Sequence, residues 1–318
     1  MRELRIRNQI PRDVIESTMK GRILTDDEYS VLVTNEVRVY KPDGSPLLVY
    51  LPGAIPVGLL DNTYAILHEL RKQETDNRGA ASGYIRGESK NKPDGRTQKA
   101  TVPVASAIIG SFDPYGPANY CRLTAWSGAE WDKYEQLFPL FRVISDKFQE
   151  YVPERFKAQE AFAARVDDGW RIKDTVFTTI TVNNSYSTGV HMDDGDLYEG
   201  FGNLAVLRYG KYHGGRLVFP EFGVAVDMQH GDILLMDVHS YHGNTQLVCD
   251  YCNEPMKGLH EHPPFSGTNM TAEVDRSERI SIVAYARARM DKCGSPEQEL
   301  EKARQLADKG TERGARFI

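Results

Sequence analysis

The sequence predicts an α+β, β-rich protein with a closed or double-sheet β core of jelly-roll type. Two observations carry this. From residue 175 onward the chain reads as eight short strands between Gly-containing turns: VFTTITVN, STGVH, GNLAVLRY, GGRLVFP, GVAVDM, DILLMDV, HGNTQLV and RISIVAYAR. Helical periodicity is confined to the stretch before them and to the C-terminus. A length of 318 residues with 40% hydrophobic content suits one large β-rich domain with additions better than two smaller ones.

The elements follow in order. Tyr29 to Tyr40 alternates apolar and polar residues, Pro42-Asp43-Gly44-Ser45 is a turn signal and Leu47 to Leu51 is apolar again, which predicts a β-hairpin. Leu59, Leu60, Tyr64, Leu67 and Leu70 recur at helical spacing after Pro56. Residues 75–100 lack periodicity and read as a long mobile loop. Trp131, Tyr134, Phe138, Phe141, Ile144, Phe148 and Tyr151 share one helical face, with Pro139 kinking or dividing the helix; they read as a packing face. Ser295, Pro296 and Gln298 form a capping box opening a surface helix that ends before Gly310. The expected organisation is an N-terminal hairpin, helix and basic loop over 1–100, the core over 101–290, and a C-terminal helix and tail over 291–318.

Composition narrows the functional classes. No run of eighteen apolar residues occurs, and MRELRIRNQIPRD has no apolar stretch behind its basic residues, so the expectation is a soluble, intracellular protein. Cys121, Cys249, Cys252 and Cys293 are too few and too unevenly placed for a disulfide framework, which suits a reducing compartment. The net charge of -6 argues against a protein that coats nucleic acid, although Arg71 to Lys99 holds eight basic residues against four acids.

His191-Met192-Asp193 places an imidazole and a carboxylate at i and i+2, on one side of an extended strand. With a second histidine from elsewhere, this is the facial triad of non-heme Fe(II) sites, which leaves three positions open. The pair alone is a weak motif. Further along, Gly231-Asp232 turns into an apolar strand that delivers His239 and His242, and Arg279 opens the last strand. A buried arginine is costly unless a carboxylate meets it, and its planar fork suits a dicarboxylate such as 2-oxoglutarate.

The segments TTITVNNSYSTGVHMDDGDLYEGFGNL, GGRLVFPEFGVAVDMQHGDILLMDVHSYHGNTQL and RISIVAYAR, with ASAIIGSFDPYG and CRLTAW upstream, resemble the oxygenase core of the ten-eleven-translocation and J-binding-protein family, above all its compact, phage-type members. The resemblance covers about residues 100–290. It implies a double-stranded β-helix (cupin-like) fold and an Fe(II)- and 2-oxoglutarate-dependent dioxygenase that uses O2 to oxidise the 5-methyl group of pyrimidines in DNA. His191 and Asp193 match the first two iron ligands, and His242, in HGNTQL, matches the third, with His239 as competitor. Arg279 matches the arginine that holds the distal carboxylate of 2-oxoglutarate, and Ser281, on the same strand face, adds a hydrogen bond. Arg122 is a candidate for the cofactor's other end, with a structural salt bridge as the alternative.

A duplex substrate would need its target nucleotide flipped out, whereas a single strand would not. Tyr285 shares a strand face with Arg279 and is the stacking candidate, while Asp196 and Arg287 match positions that read the base edge. An ionised Asp accepts from the cytosine N4 amino group, and Arg donates to cytosine N3, so 5-methylcytosine is expected over thymine. Asp196 could instead cap the DDGDL loop. The basic loop is a candidate phosphate contact, the alternative being a solvated linker.

Cys249-x-x-Cys252 precedes His260-x-His262, a composition that can make a structural zinc site. Two rival functions remain on sequence grounds: an oxygenase of the same superfamily acting on a protein or small molecule, and a non-catalytic reader of modified DNA. No membrane partner is expected. If the source is a phage or bacterium, the compartment is the cytoplasm of the host cell.

Overall fold

The computed structural model describes residues 1–75, 78–83, 89–91, 97–99, 103–114, 118–256, 260–261 and 276–308. Two β-sheets face one another. The larger runs Arg2–Arg5, Val37–Tyr40, Pro46–Leu51, Asp232–Met236, Gly202–Tyr209, Arg276–Tyr285, Thr179–Asn184, Val104–Phe112 and Glu74–Thr75. The smaller runs Gly243–Asn244, Leu217–Phe219, Val224–Val226 and Val31–Val33. This is a mixed α+β protein whose two sheets match a double-stranded β-helix core, as the sequence predicts.

Period-two alternation sorts every strand of the larger sheet between two layers. Ile180, Val182, Ala205, Leu207, Ile233, Leu235, Ile280, Ile282 and Ala284 face outward onto helices Val57–His68, Phe138–Tyr151 and Pro153–Ala163. Leu48, Tyr50, Leu204, Val206, Leu234 and Met236 face inward, against Leu217, Phe219, Val224 and Val226 of the smaller sheet. The helical layer is aromatic at its centre. Phe148 is fully buried and stacks near Phe177 and Phe201, with ring centroids 6.5 and 6.3 Å away.

Most helical expectations hold. Pro139 sits in the first turn of Phe138–Tyr151 and separates it from Trp131–Gln136. The terminal helix Pro296–Asp308 has its capping box, with the Ser295 N–H donating to Gln298 Oε1 at 2.9 Å. That helix is more than surface structure, because Glu299 is buried and accepts from the Cys121 N–H at 2.8 Å.

Three expectations need correction. Tyr29 to Tyr40 is not one hairpin arm: Val31–Val33 joins the smaller sheet beside Val224–Val226, and only Val37–Tyr40 pairs with Pro46–Leu51. Alternation is the same on either side of the break, so it carries no sign of the change of sheet. Cys121 and Cys293 form a disulfide, Cα atoms 5.8 Å apart, among Phe162, Val166, Trp170 and Met290. Their separation of 172 residues gives no local signal of pairing, and the bridge removes the cysteine argument for a reducing compartment. The expectation of one long loop over 75–100 is corrected where it is described, by the turn Gly79–Ser82 and the antiparallel pair Ser89–Asn91 and Thr97–Lys99, while the side chains of Lys90, Lys92 and Arg96 lie outside the described residues. Among the described residues no helix is long and apolar enough to cross a membrane.

Truncating Phe148 to Ala removes the centre of the helix–sheet layer. We expect a loss of about 3–5 kcal/mol in urea unfolding, the usual cost of emptying a buried aromatic site; a loss under about 1 kcal/mol would contradict this packing.

Candidate metal centre

The centre is built where two short strand segments cross. His191 and His242 exchange both backbone hydrogen bonds, N–H to O=C at 2.9 Å each way. Directly opposed residues of an antiparallel pair project to the same face, so the imidazoles meet, with ring centroids 4.5 Å apart. Gly243 keeps the two segments close, since a Cβ there would lie 3.0 Å from the Val190 nitrogen, and Gly189 lets the His191 segment pack on its other neighbours. A Cβ at Gly189 would lie 2.6 Å from the backbone oxygens of both Gly21 and Ala80.

Asp193 completes the group. Its two carboxylate oxygens lie 3.6 Å from His191 Nε2 and 3.7 Å from His242 Nε2. Among the described residues this is the one group of three or more His, Cys, Asp or Glu side chains with the spacing to hold a metal ion, its ligand atoms all within 4.8 Å. The hydrogen bonds fix the tautomers. His191 Nδ1 donates to the Gly189 carbonyl at 2.7 Å and His242 Nδ1 to that of Ser240 at 3.0 Å, which turns both Nε2 lone pairs toward Asp193. Burial, then the neighbouring His242, pushes the His191 pKa down to about 4, so the ring is neutral and ready to ligate at neutral pH. His239 stands apart, its Nε2 3.4 Å from the Leu197 carbonyl and its ring beside Tyr198.

The centre opens into a cavity of about 710 Å3 between the sheets. Arg279, Ser281, Val283 and Tyr285 line it from alternate positions of one strand. Arg279 is buried and donates to Ser281 Oγ, and no described carboxylate lies within ion-pair distance. Burial lowers its pKa. A buried cation without an anion is costly, so the donor set fits a bound carboxylate, and a dicarboxylate spanning Arg279 and the triad fits 2-oxoglutarate. Tyr285 OH is 3.2 Å from Thr181 Oγ1.

Asp196 and Arg287 also line the cavity, their backbones paired across an isolated bridge. Burial first, and the charge of Asp193 second, raise the Asp196 pKa well above the usual carboxylate value. Arg287 is clamped: its Nε donates to Asp113 Oδ1 at 2.6 Å and its guanidinium lies 4.1 Å over the Phe112 ring.

One expected residue is elsewhere. Arg122 does not line the cavity; its guanidinium lies over Phe112 and Tyr120, opposite the Phe112 end of the Val104–Phe112 strand. Phe112 is the ring that the cavity-lining Arg287 also covers, so Arg122 shares a ring with a cavity residue without itself lining the cavity. Cys249 is buried in a separate apolar cluster with Tyr212, Leu247 and Met256 and Cys252 is exposed, while the side chains of His260 and His262 are outside the described residues.

The structure adds groups that sequence reasoning missed. Arg78 reaches the cavity, donates through Nε to Ser106 Oγ at 2.7 Å and keeps Nη2 buried without a partner. Ser106 in turn donates to Asn183 Oδ1, which also accepts from Tyr186 OH. Asp113, buried between Arg287 and Arg289, orients the former. Only the inward parity of Asn183 with Thr181 hinted at this row. A hollow of about 760 Å3 on the helical side, lined by Tyr134, Phe138 and Phe156, contains no such metal-ligand group.

Comparison with known proteins agrees with this geometry. The family model Tet_JBP, the oxygenase domain of the 2OGFeDO superfamily, matches residues 115–288. Thymine dioxygenase JBP1 of Trypanosoma brucei brucei is 37% identical over 150 residues, 46% of this chain and 17% of that protein. Thymine dioxygenase JBP1-B of Trypanosoma cruzi is 34% identical over 204 residues, 64% of this chain and 21% of that protein. The chain thus spans about a fifth of the length of these relatives. The solved structure of NgTET1 in complex with 5mC DNA superposes with a TM-score of 0.51 at 14% identity, covering 91% of this chain and 89% of that one, a likeness of fold.

Replacing Arg279 with Met should weaken 2-oxoglutarate binding about 10- to 100-fold while leaving Fe(II) stoichiometry unchanged, since hydrogen bonds to a charged group contribute roughly 1.5–3 kcal/mol. Isothermal titration of the iron-loaded protein under anaerobic conditions measures it. Unchanged affinity would remove Arg279 from the cofactor site.

Proposed function

Because the chain belongs to the Tet_JBP family of 2OGFeDO-superfamily oxygenase domains, we propose that it is an Fe(II)- and 2-oxoglutarate-dependent dioxygenase that hydroxylates the 5-methyl group of a pyrimidine in DNA. The observation that carries this reading is the convergence in one cavity of the His191, Asp193 and His242 ligand atoms with the carboxylate-hungry Arg279. His191, Asp193 and His242 would hold the iron, and Arg279 with Ser281 the distal carboxylate of 2-oxoglutarate. When bound, the metal and cosubstrate supply O2-driven oxidation of a C–H bond coupled to decarboxylation of 2-oxoglutarate to succinate.

The protein's own part is orientation and exclusion. The Nδ1 bonds to the Gly189 and Ser240 carbonyls keep both Nε2 atoms turned to the metal position. Leu204, Leu217, Met236 and Val283 wall the cavity and keep water from the reacting carbon. Tyr285 offers a ring to a base entering the cavity, and Asp196 with Arg287 offers polar contacts to its edge, so the methyl carbon is held rather than merely admitted. A base would enter by flipping from a duplex or from a single strand.

We take 5-methylcytosine as the preferred base, because an ionised Asp196 accepts from the N4 amino group; burial, ahead of the Asp193 charge, raises the Asp196 pKa, and a cation at the triad would offset the second of these. Thymine is the second reading, favoured by relatives that are thymine dioxygenases. Incubation of the iron-loaded protein with 5-methylcytosine DNA and with thymine-only DNA, followed by nucleoside mass spectrometry, separates them. We expect 5-hydroxymethylcytosine to dominate, and Asp196→Asn to shrink its lead over 5-hydroxymethyluracil about 10- to 100-fold, the roughly 1–3 kcal/mol of one base-edge contact. Oxidation confined to thymine would overturn the base assignment. Succinate formation indifferent to DNA would overturn the DNA reading.

A further inference from the structure

A buried carboxylate stands behind one wall of the cavity. Asp113 follows directly on the strand Val104–Phe112 and accepts from two guanidiniums, Arg287 Nε at 2.6 Å and Arg289 Nε at 2.9 Å. The two arginines face different ways. Arg287 lines the cavity and is mostly buried, whereas Arg289 is half exposed, is absent from the lining and donates through Nη2 to the Pro114 carbonyl at 2.9 Å. Arg122 adds a third guanidinium, over the same Phe112 ring as Arg287. An anion buried among cations holds them strongly, because little water screens the attraction.

What lies beyond Arg287 makes this hold consequential. Its backbone is bridged to that of Asp196, and a Cβ on Gly195 would lie 3.6 Å from its Nη2. The open end of the guanidinium fork is therefore beside Gly195 and Asp196. Arg287 acts on the Asp196 carboxylate through charge alone, with no hydrogen bond between the two side chains.

An arginine and a carboxylate so placed ordinarily close into a bidentate pair, with two parallel N–H to oxygen bonds. Here that pair would consume the Asp196 oxygens and the Arg287 N–H groups that a base edge needs. Asp113 opposes it by holding Arg287 through Nε, while the Phe112 ring, its centre 4.1 Å from the guanidinium carbon, fixes the plane of the fork.

We propose that Asp113 is a positioning residue for base selection: it holds Arg287 off Asp196, so that both side chains stay open to the edge of the base. The inference rests on the hydroxylation of a DNA base proposed above. It gives a buried acid outside the cavity lining control over specificity within it. Arg289, the outer arm of the same ion pair, has no part in that control because it does not reach the cavity.

The test is the ratio of 5-methylcytosine to thymine oxidation by the iron-loaded protein, read by nucleoside mass spectrometry on DNA of each kind. In Asp113→Asn the released Arg287 should pair with Asp196 and lower the ratio about 10-fold, the scale of one base-edge contact, with 2-oxoglutarate affinity unchanged. Asp113→Glu keeps the buried anion, and with it the fold, but moves the carboxylate by one methylene; the ratio should fall there by a smaller factor. Arg289→Ala should stay within about 2-fold of wild type, as expected for a half-exposed ion pair. In an Asp196→Asn background there is no carboxylate to capture, so adding Asp113→Asn should change the ratio less than about 3-fold, a coupling that general loosening of the fold does not produce. A wild-type ratio in both Asp113 variants, an equal fall in Arg289→Ala, or full additivity with Asp196→Asn would overturn the proposal and leave the DNA reading intact. Wild-type protein that oxidises neither DNA, or thymine alone, would remove the Asp196 base contact and this proposal with it.

Discussion

The structure depends on one antiparallel pairing, the mutual backbone hydrogen bonds of His191 and His242. A strand pair can present two side chains on one face at short range only when the residues are directly opposed. Slippage by one residue would send one imidazole to the other side of its segment. Gly243 protects this register, since a Cβ there would crowd the Val190 backbone of the paired segment. Asp193 then needs no separate positioning device. Two residues after His191, with its N–H bonded to the Val238 carbonyl, it falls between the two rings.

A second constraint acts through the last strand. Glu278, Ile280, Ile282 and Ala284 face the helices, whereas Arg279, Ser281, Val283 and Tyr285 face the cavity. The outward Glu278 is buried and accepts from Tyr64 OH at 2.7 Å, with His68 Nδ1 2.6 Å away. This ties the first long helix to the strand at the residue next to Arg279. Helical packing and cofactor geometry are therefore two faces of the same ten residues.

Much of this was legible in the sequence because it is local. Seven of the eight expected core strands, the helix after Pro56, the break at Pro139 and the Ser295 cap each announce themselves within a dozen residues, while STGVH makes only single bridges at Val190 and His191. His191 and Asp193 did so as well, through their i, i+2 spacing. The choice between His242 and His239 was harder, because both lie near the end of one strand and only the cross-strand partner separates them. What sequence could not supply was long-range: the Cys121–Cys293 bridge, the change of sheet between Val33 and Val37, and the buried Arg78 and Asp113. Arg78 was read as part of a basic loop, a phosphate contact or a solvated linker, yet its Nε meets Ser106 on a distant strand. Charge counting cannot tell a solvated arginine from one whose partner lies elsewhere in the fold. Arg122, weighed as a cofactor ligand or a salt-bridge partner, lies over two aromatic rings and outside the cavity lining, a placement no local pattern signals.

The central claim is that His191, Asp193 and His242 together hold the metal. Anaerobic Fe(II) titration of single alanine variants tests it most directly. The account predicts one tight iron per chain in the wild type and in His239→Ala, and its loss in His191→Ala, Asp193→Ala and His242→Ala with the fold retained by circular dichroism. Tight iron retained in His242→Ala and lost in His239→Ala would contradict it.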